Sequence, residues 1–186
     1  MSRTAKSPEV LDLDRADLDF AQEVVEAGAE GLRNCYGCGA CSAFCPILPK
    51  AEGYDPRRLI RLVLLGQREL VLGQPLIWYC STCYSCHEVC PQQVSFTEIS
   101  FALKNLAVAA GSFPAGLPSQ VELLSSFGRL YEVGEFENEK RASLGLPPQE
   151  SRGEDYRRLL AGLAADLQGA DPVKEPPKDE KGGGGA

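Results

Sequence analysis

The sequence contains no long apolar run. The best candidate, Leu59 to Leu65, is short and carries Arg61, whereas a helix needs roughly 20 apolar residues to span a bilayer. Residues 1–8 also lack the apolar segment of a secretory signal peptide. We therefore expect no membrane span and a cytoplasmic protein, in a compartment that keeps thiols reduced.

Basic residues are outnumbered, because 19 Lys and Arg stand against 26 Asp and Glu, for a formal net charge of −7. Nucleic acid binding requires basic surfaces, so we expect protein partners and no nucleic acid. The sequence also lacks a Gly-x-Gly-x-x-Gly pattern after a strand, which dinucleotide-binding folds show. No acid, base and nucleophile form a recognisable set, and we assign no catalytic residue.

All eight cysteines fall in two copies of the pattern Cys-x2-Cys-x2-Cys-x3-Cys-Pro. Bacterial-type ferredoxins hold [4Fe-4S] clusters with this spacing. Three thiolates two residues apart can surround three corners of one cubane, and in two-cluster proteins the fourth Cys ligates the other cluster. We therefore expect two [4Fe-4S] clusters, one bound by Cys35, Cys38, Cys41 and Cys90, the other by Cys80, Cys83, Cys86 and Cys45.

Two other uses of the cysteines fit less well. Structural zinc sites use two Cys-x2-Cys pairs or mixtures of Cys and His, which a triple plus one does not match. Disulfide scaffolds are typical of short secreted chains, whereas we expect this protein in a compartment that keeps thiols reduced. The lone His87 lies inside the second motif, where four cysteines already complete the site, so we expect it to be a neighbour and not a ligand.

Around the cysteine motifs, the apolar spacing predicts helices. One extends from Asp14 to Ala27 with Leu18 on its apolar face and Gly28 at its end. A second begins at Asp55 as N-cap and ends at Gly66. A third follows the capping box Ser95 to Glu98 and ends at Gly111.

The C-terminal third has a different composition. Residues 112–150 are rich in Gly and Pro and hold one short apolar segment, Val121 to Leu130. A second capping box, Ser151 to Glu154, predicts a helix with a Leu stripe that either folds back on the core or lies in a partner's groove. The composition of residues 169–186 predicts disorder.

Together these patterns predict four regions: an N-terminal extension (1–13), a helical cluster-binding domain (14–111), a partner-docking extension (112–168) and a disordered tail (169–186).

Several residues near the motifs have specific expectations. Gly37 and Gly39 can adopt positive φ and bring backbone N–H groups close to a cluster. The second loop has Ser81, Thr82 and Ser85 instead, and their hydroxyls predict the higher reduction potential for the second cluster. We expect Trp78 and Tyr79, directly before Cys80, to shield that cluster from water. The positive charges of Arg57, Arg58 and Arg61 suggest either a solvated helix face or a docking patch.

Four stretches together carry a family resemblance. They read C-Y-G-C-G-A-C-S-A-F-C-P at residues 35–46, R-R-L-I-R-L-V-L-L-G at 57–66, I-W-Y-C-S-T-C-Y-S-C-H-E-V-C-P at 77–91 and A-L-K-N-L-A at 102–107. In this combination the chain resembles the C subunit of heterodisulfide reductase from Leu32 to Gly111. The resemblance implies an all-α fold of the alpha-helical ferredoxin type.

By the same resemblance, the chain is one subunit of a hetero-oligomeric oxidoreductase complex and by itself only relays electrons. It would pass them from a flavin-containing A-type subunit to a catalytic B-type subunit that reduces a disulfide. Two alternatives remain: an iron-sulfur subunit of a respiratory dehydrogenase of the glycerol-3-phosphate or succinate type, and an iron-sulfur redox sensor. The first usually carries an additional Cys-rich or ferredoxin domain, and sensors usually expose one labile cluster.

Overall fold

The computed structural model describes residues 11–168 of the 186-residue chain, except for the side chains of residues 164–166 and 168. These residues are helical and include no β-strand. Within this range no helix is long and apolar enough to cross a membrane. Most of the predicted N-terminal extension, and all of the predicted tail from residue 169, lie outside the described residues.

The described residues separate into two compact units, residues 11–114 and 115–168. The first unit contains α1 (Phe20–Glu26), a 3₁₀ helix (Glu30–Asn34), α2 (Ala40–Ala43), α3 (Pro56–Leu64), α4 (Arg68–Leu72), a second 3₁₀ helix (Pro75–Tyr79), α5 (Ser85–Glu88) and α6 (Phe96–Ala109). The second unit contains α7 (Leu117–Phe127), α8 (Glu135–Ser143) and α9 (Gly153–Gln168).

The core of the first unit lies between α1, α3 and α6. Phe20, Val24, Val63, Phe96 and Leu103 are at most 1% exposed, and burial of each such side chain contributes about 1.5–3 kcal/mol. Five of the eight cysteines are partly buried against this core. The same packing that stabilises the unit therefore holds both cysteine loops in place.

The predicted caps of two helices are present. Asp55 accepts a hydrogen bond from the Arg58 N–H at 3.2 Å at the start of α3. Ser95 accepts one from the Glu98 N–H at 3.4 Å at the start of α6. Such a cap contributes about 1 kcal/mol. Since α3 and α6 both begin beside the cysteine loops, their caps help to fix the side chains that face those loops.

The first helix is shorter than predicted, because α1 begins at Phe20 and not at Asp14. The Asp17 N–H donates to the Gly66 carbonyl at 2.9 Å, and the Asp17 carboxylate accepts from Arg68 Nε at 2.6 Å. These contacts hold the chain in a turn before the helix. Leu18, which we expected on the apolar face, is 88% exposed.

In the second unit, α7 packs against α9. Val121 of α7 and Leu167 of α9 are buried, whereas Leu159 is 81% exposed. The predicted Leu stripe of α9 therefore faces two environments, with Leu167 buried and Leu159 in solvent.

One prediction for the second unit is wrong, and one helix was not predicted. The Ser151 hydroxyl does not cap α9, since it donates to the Ser126 carbonyl at 2.9 Å and the helix begins at Gly153. Residues 112–150 contain α8 in addition to the expected apolar segment. This helix buries no side chain. Its sequence therefore needs no apolar face, and the apolar periodicity that would predict a helix is missing.

Candidate metal centre

The two cysteine loops have the same backbone conformation. Gly37 and Gly39 have φ values of 81° and 87°, and the corresponding residues Thr82 and Tyr84 have 56° and 61°. Left-handed backbone costs a residue with a Cβ about 1–2 kcal/mol, so the second loop adopts the curl at a cost that the first avoids. The expected positive φ at the two glycines is confirmed.

A first cavity, of about 340 Å³ including its open mouth, lies against the first loop. Cys35, Cys38 and Cys41 of the first motif line it together with Cys90 of the second. The rest of its wall is mainly apolar and includes Ile60, Val94 and Phe96. Sulfur atoms from both motifs therefore face one cavity.

A second cavity, of about 280 Å³, has the complementary cysteines. Cys80, Cys83 and Cys86 line it together with Cys45 of the first motif. Its wall also includes Ile47, Tyr54, Phe96 and Thr97. Phe96 lines both cavities and is 1% exposed, so its ring lies between them.

One-turn helices explain why the fourth cysteine of each motif lines the other cavity. Cys45 follows α2 and Cys90 follows α5, and these two helices contact each other. One helical turn advances the chain by about 5.4 Å, away from the loop that carries the first three cysteines. The fourth thiol of each motif thus arrives at the neighbouring loop.

Polar contacts to the sulfur atoms differ between the cavities. At the first cavity the Val94 N–H donates to Cys90 Sγ at 3.2 Å. At the second, Thr97 Oγ1 lies 3.7 Å from Cys86 Sγ, and Ser85 Oγ lies 3.5 Å from Cys83 Sγ. Thr82, expected to offer its hydroxyl to a cluster, instead donates to the Ser81 carbonyl at 2.7 Å. That part of the prediction is wrong.

The surroundings of the cysteine thiols also differ in whether they raise or lower the thiol pKa. Burial raises the pKa of the Cys41 thiol, whereas a hydrogen bond with Ser85 lowers the pKa of the Cys83 thiol. Burial beside Cys80 and Cys45 raises the pKa of Tyr54 above its usual range. Since the thiolate is the form that binds metal, Cys83 is the thiol that gives up its proton more readily.

Two cations lie near the cavities. The Arg57 side chain lines the first cavity and covers Gly39, where an added Cβ would lie 3.4 Å from Arg57 Nη1. Near the second, Lys104 Nζ donates to the Cys80 carbonyl at 3.5 Å and lies 5.9 Å from the centre of the Trp78 ring. Burial lowers the pKa of Lys104.

His87 and Trp78 line neither cavity. His87 Nδ1 and Trp78 Nε1 are buried without a hydrogen-bond partner among the described residues. Tyr79 packs its ring edge-on against Tyr54, with 6.3 Å between ring centres. The shielding role expected for Trp78 and Tyr79 stays a prediction.

The donor set fits iron-sulfur clusters. Each cavity combines four thiols with a largely apolar wall, and thiolates are the usual cluster ligands. Among the side chains that the structure describes, no group of three or more His, Cys, Asp or Glu is placed so that it could hold a single metal ion.

Sequence reasoning missed several side chains of the cavity walls, among them Tyr54, Phe96 and Thr97. Phe96 and Thr97 lie inside the predicted capping box, and Tyr54, which was not singled out, precedes the predicted N-cap Asp55. They reach the cavities because α3 and α6 begin beside them. No local pattern distinguishes a cavity-lining aromatic or hydroxyl from one in the ordinary core.

The chain is similar to known iron-sulfur proteins. Residues 30–94, which include both motifs, match the family model described as a 4Fe-4S dicluster domain. The chain is 34% identical over 172 residues to an iron-sulfur C subunit of the CoB–CoM heterodisulfide reductase of Methanocaldococcus jannaschii, covering 84% of this chain and 91% of the relative. It is 32% identical to the C subunit of the ferredoxin:CoB-CoM heterodisulfide reductase of Methanosarcina mazei, over 78% of this chain and 89% of the relative.

A third relative carries a different complex name. It is the C subunit of the H(2):CoB-CoM heterodisulfide,ferredoxin reductase of Methanothermobacter marburgensis, 28% identical over 70% of each chain. All three relatives are named as the C subunit of a reductase whose name includes the CoB-CoM heterodisulfide; the second name also includes ferredoxin, and the third includes H(2) and ferredoxin.

Proposed function

Because the chain belongs to the family of heterodisulfide reductase iron-sulfur C subunits, we propose that it relays electrons within a heterodisulfide reductase-like complex. It acts as one subunit of an oxidoreductase and carries no catalytic residue of its own. The relatives do not favour the respiratory dehydrogenase or the redox sensor.

The observation that carries this function is the lining of the two cavities by cysteines of both motifs. We infer two [4Fe-4S] clusters, the first bound by Cys35, Cys38, Cys41 and Cys90, the second by Cys80, Cys83, Cys86 and Cys45. Bound clusters would supply one-electron carriers. The alpha-helical ferredoxin type of fold, in a domain of residues 14–111, is part of the same proposal.

The residues of the chain have three tasks in such a relay. The eight thiolates hold both sites at a fixed separation, because the exchange of Cys45 and Cys90 ties each loop to the other. Phe96, Ile60 and Ile47 keep water from the inner walls, which lowers the energy needed to rearrange solvent around a changing charge. Cys38 and Cys83 are exposed and mark the outer edge of each site, where a partner can approach.

The partners belong to the proposal as well. We assign electron entry to a flavin-containing A-type subunit and electron exit to a catalytic B-type subunit, in a cytoplasmic complex. Residues 112–168 provide a docking extension. The exposed Leu159 on α9, with the exposed Phe136 and Leu144 in and after α8, gives this extension apolar surface that a partner can cover.

The experiment is metal and sulfide analysis of anaerobically purified protein, together with identification of co-purified subunits. About eight iron and eight acid-labile sulfides per chain are expected for two cubanes. A flavoprotein and a cysteine-rich subunit should co-purify in fixed ratio. Stoichiometric zinc without visible charge-transfer absorption would exclude the cluster-binding function.

A further inference from the structure

Thr97 has a buried hydroxyl whose partner among the described residues is a cysteine. Its side chain is 1% exposed and lines the second cavity. Its Oγ1 lies 3.7 Å from Cys86 Sγ. A buried hydroxyl without a partner costs about 1–3 kcal/mol, and a cluster-bound Cys86 would be a thiolate that can only accept. Thr97 must then be the donor.

Tyr54 brings a second buried hydroxyl to the same cavity. The residue is 3% exposed and lines the second cavity together with Cys80 and Cys45. Burial, and after it the neighbouring Cys80 and Cys45, raise the pKa of its hydroxyl. Edge-on contacts with Tyr79 and Phe96, each 6.3 Å between ring centres, fix the orientation of the ring. A phenol with an ordinary pKa near 10 is protonated at neutral pH, so it too is a donor.

Among the described residues, the first cavity has no buried hydroxyl donor of this kind. The Ser42 hydroxyl, next to Cys41, gives its proton to Asp55 Oδ1 at 2.5 Å. Tyr36, whose hydroxyl lies near Cys38, is 65% exposed, so water competes for it. Arg57 adds a positive charge to this cavity, but the residue is exposed and its charge is screened by solvent and salt.

Resting on the cluster sites proposed above, we propose that Tyr54 and Thr97 are tuning residues that raise the reduction potential of the second site above that of the first. When one electron arrives from the donor subunit, no bond forms or breaks and both hydroxyls keep their protons. O–H dipoles directed at the sulfurs would stabilise the negative charge that the sulfurs gain, because hydrogen bonds to charged acceptors are stronger than those to neutral ones. Because electrons move towards the site of higher reduction potential, the second site is the exit side of the relay.

The test is a redox titration followed by electron paramagnetic resonance on the cluster-loaded full chain. The signal altered in Cys83→Ser identifies the second site. Thr97→Val and Tyr54→Phe remove the hydroxyls and keep almost the same shape. At a fixed ambient potential, the reduced-to-oxidised ratio of the second site should fall in each variant and by about tenfold in the double variant, which corresponds to ~59 mV. The first site should not shift.

Two control variants separate hydrogen bonding from packing. Ser100→Ala removes another fully buried hydroxyl of α6, one that donates to the Ile77 carbonyl and not to a cysteine. It should leave both potentials unchanged. Thr97→Ser keeps the hydroxyl and loses the methyl group, and should keep the wild-type potential.

Three results would overturn the tuning role: an unmoved second-site potential in the double variant, equal shifts of both sites, or a Thr97→Ser shift as large as that of Thr97→Val. A variant that binds less iron is still informative, since the potential is read from the molecules that are loaded. The cluster sites themselves fail by a different result, namely a wild-type protein without iron or sulfide.

Discussion

Thr82 and Tyr84 adopt the left-handed backbone that Gly37 and Gly39 adopt in the other loop. Both loops therefore require left-handed backbone at these two positions, and glycine adopts that conformation at a lower free-energy cost. The conformation turns the cysteines of each loop towards a cavity. It costs the second loop about 1–2 kcal/mol for each of Thr82 and Tyr84, and the glycines of the first loop avoid this cost.

The first prediction isolates that backbone cost at Gly37. An added Cβ there meets nothing within 4 Å, and the same is true at Gly116, but Gly37 has φ +81° and Gly116 has φ −80°. Gly37→Ala should destabilise the loaded protein by about 1–2 kcal/mol. Gly116 is the N-cap of α7, where glycine is preferred over alanine, so the lower unfolded-state entropy of Gly116→Ala is offset and the variant should change stability by less than about 1 kcal/mol.

The measurement is anaerobic thermal unfolding of both variants, with iron retention followed in parallel. Equal melting temperatures for the two variants would mean that the left-handed residue carries no strain in this loop.

The second prediction concerns the exchanged cysteines. Cys45→Ser should alter the same spectroscopic signal as Cys83→Ser, because both line the second cavity, and Cys90→Ser should alter the same signal as Cys38→Ser. Electron paramagnetic resonance of the reduced variants groups them directly. If Cys45→Ser instead resembled Cys38→Ser, each motif would bind its own cluster with all four cysteines.

The thiols of the candidate site could be named from the sequence, because cluster ligands repeat at a fixed local spacing. Its hydroxyls could not. Thr82 stands in the motif but donates to a neighbouring carbonyl, whereas Thr97 lies eleven residues beyond Cys86 and faces its sulfur. Only the packing of α6 against the loops decides which hydroxyl meets a thiol.

At the scale of the elements, α7 and α9 touch at a glycine. A Cβ on Gly153 would lie 2.3 Å from the Ser126 carbonyl oxygen and 2.5 Å from that of Ser125. Both are backbone atoms that cannot move aside cheaply. The close approach of the two helices therefore depends on the absence of a side chain at this residue.

The third prediction tests this approach with two glycines of the same helix. Gly153→Ala should destabilise the second unit by roughly 1–3 kcal/mol through overpacking. Gly162→Ala, where nothing lies within 4 Å, should stabilise α9 by up to about 1 kcal/mol. Limited proteolysis of the full chain, scored by cleavage within residues 115–168, and thermal unfolding measure the difference in stability between the two variants. Equal protection in both variants would show that α7 and α9 need no such contact.

Helices with local signals could be predicted, and helices set by distant contacts could not. The caps at Asp55 and Ser95 lie within three residues of the N–H groups they accept from. The start of α1 depends on a hydrogen bond from Asp17 to Gly66, distant in sequence. The α8 helix relies on the Glu137 carboxylate accepting from the Gly134 N–H at 2.9 Å, in a stretch with no apolar face to reveal it.

At the scale of the whole molecule, charge is distributed unevenly on an acidic chain. The net charge is −7, yet α3 carries Arg57, Arg58 and Arg61. None of these three side chains forms an ion pair with a residue among those described. Arg57 also lines the first cavity, so this positive surface adjoins one end of the relay. An acidic partner surface that approaches the first site would complement it.

The last prediction follows from that arrangement. Arg58→Glu with Arg61→Glu should weaken binding of the proposed flavin-containing donor subunit at low salt by about tenfold, or ~1.4 kcal/mol. The loss should shrink towards 1 M salt, where the Debye length falls from about 10 Å at 0.1 M to about 3 Å. The control is Arg15→Glu, which changes the charge by the same amount as Arg58→Glu or Arg61→Glu alone and is compared with each of these single variants; its only described ion pair is with the 84% exposed Glu69 at 3.5 Å. Such a surface pair contributes little, and Arg15 lines neither cavity. Dissociation constants at several salt concentrations decide the matter: if the control weakens binding as much as either single α3 variant, net charge and not a local docking face accounts for the effect.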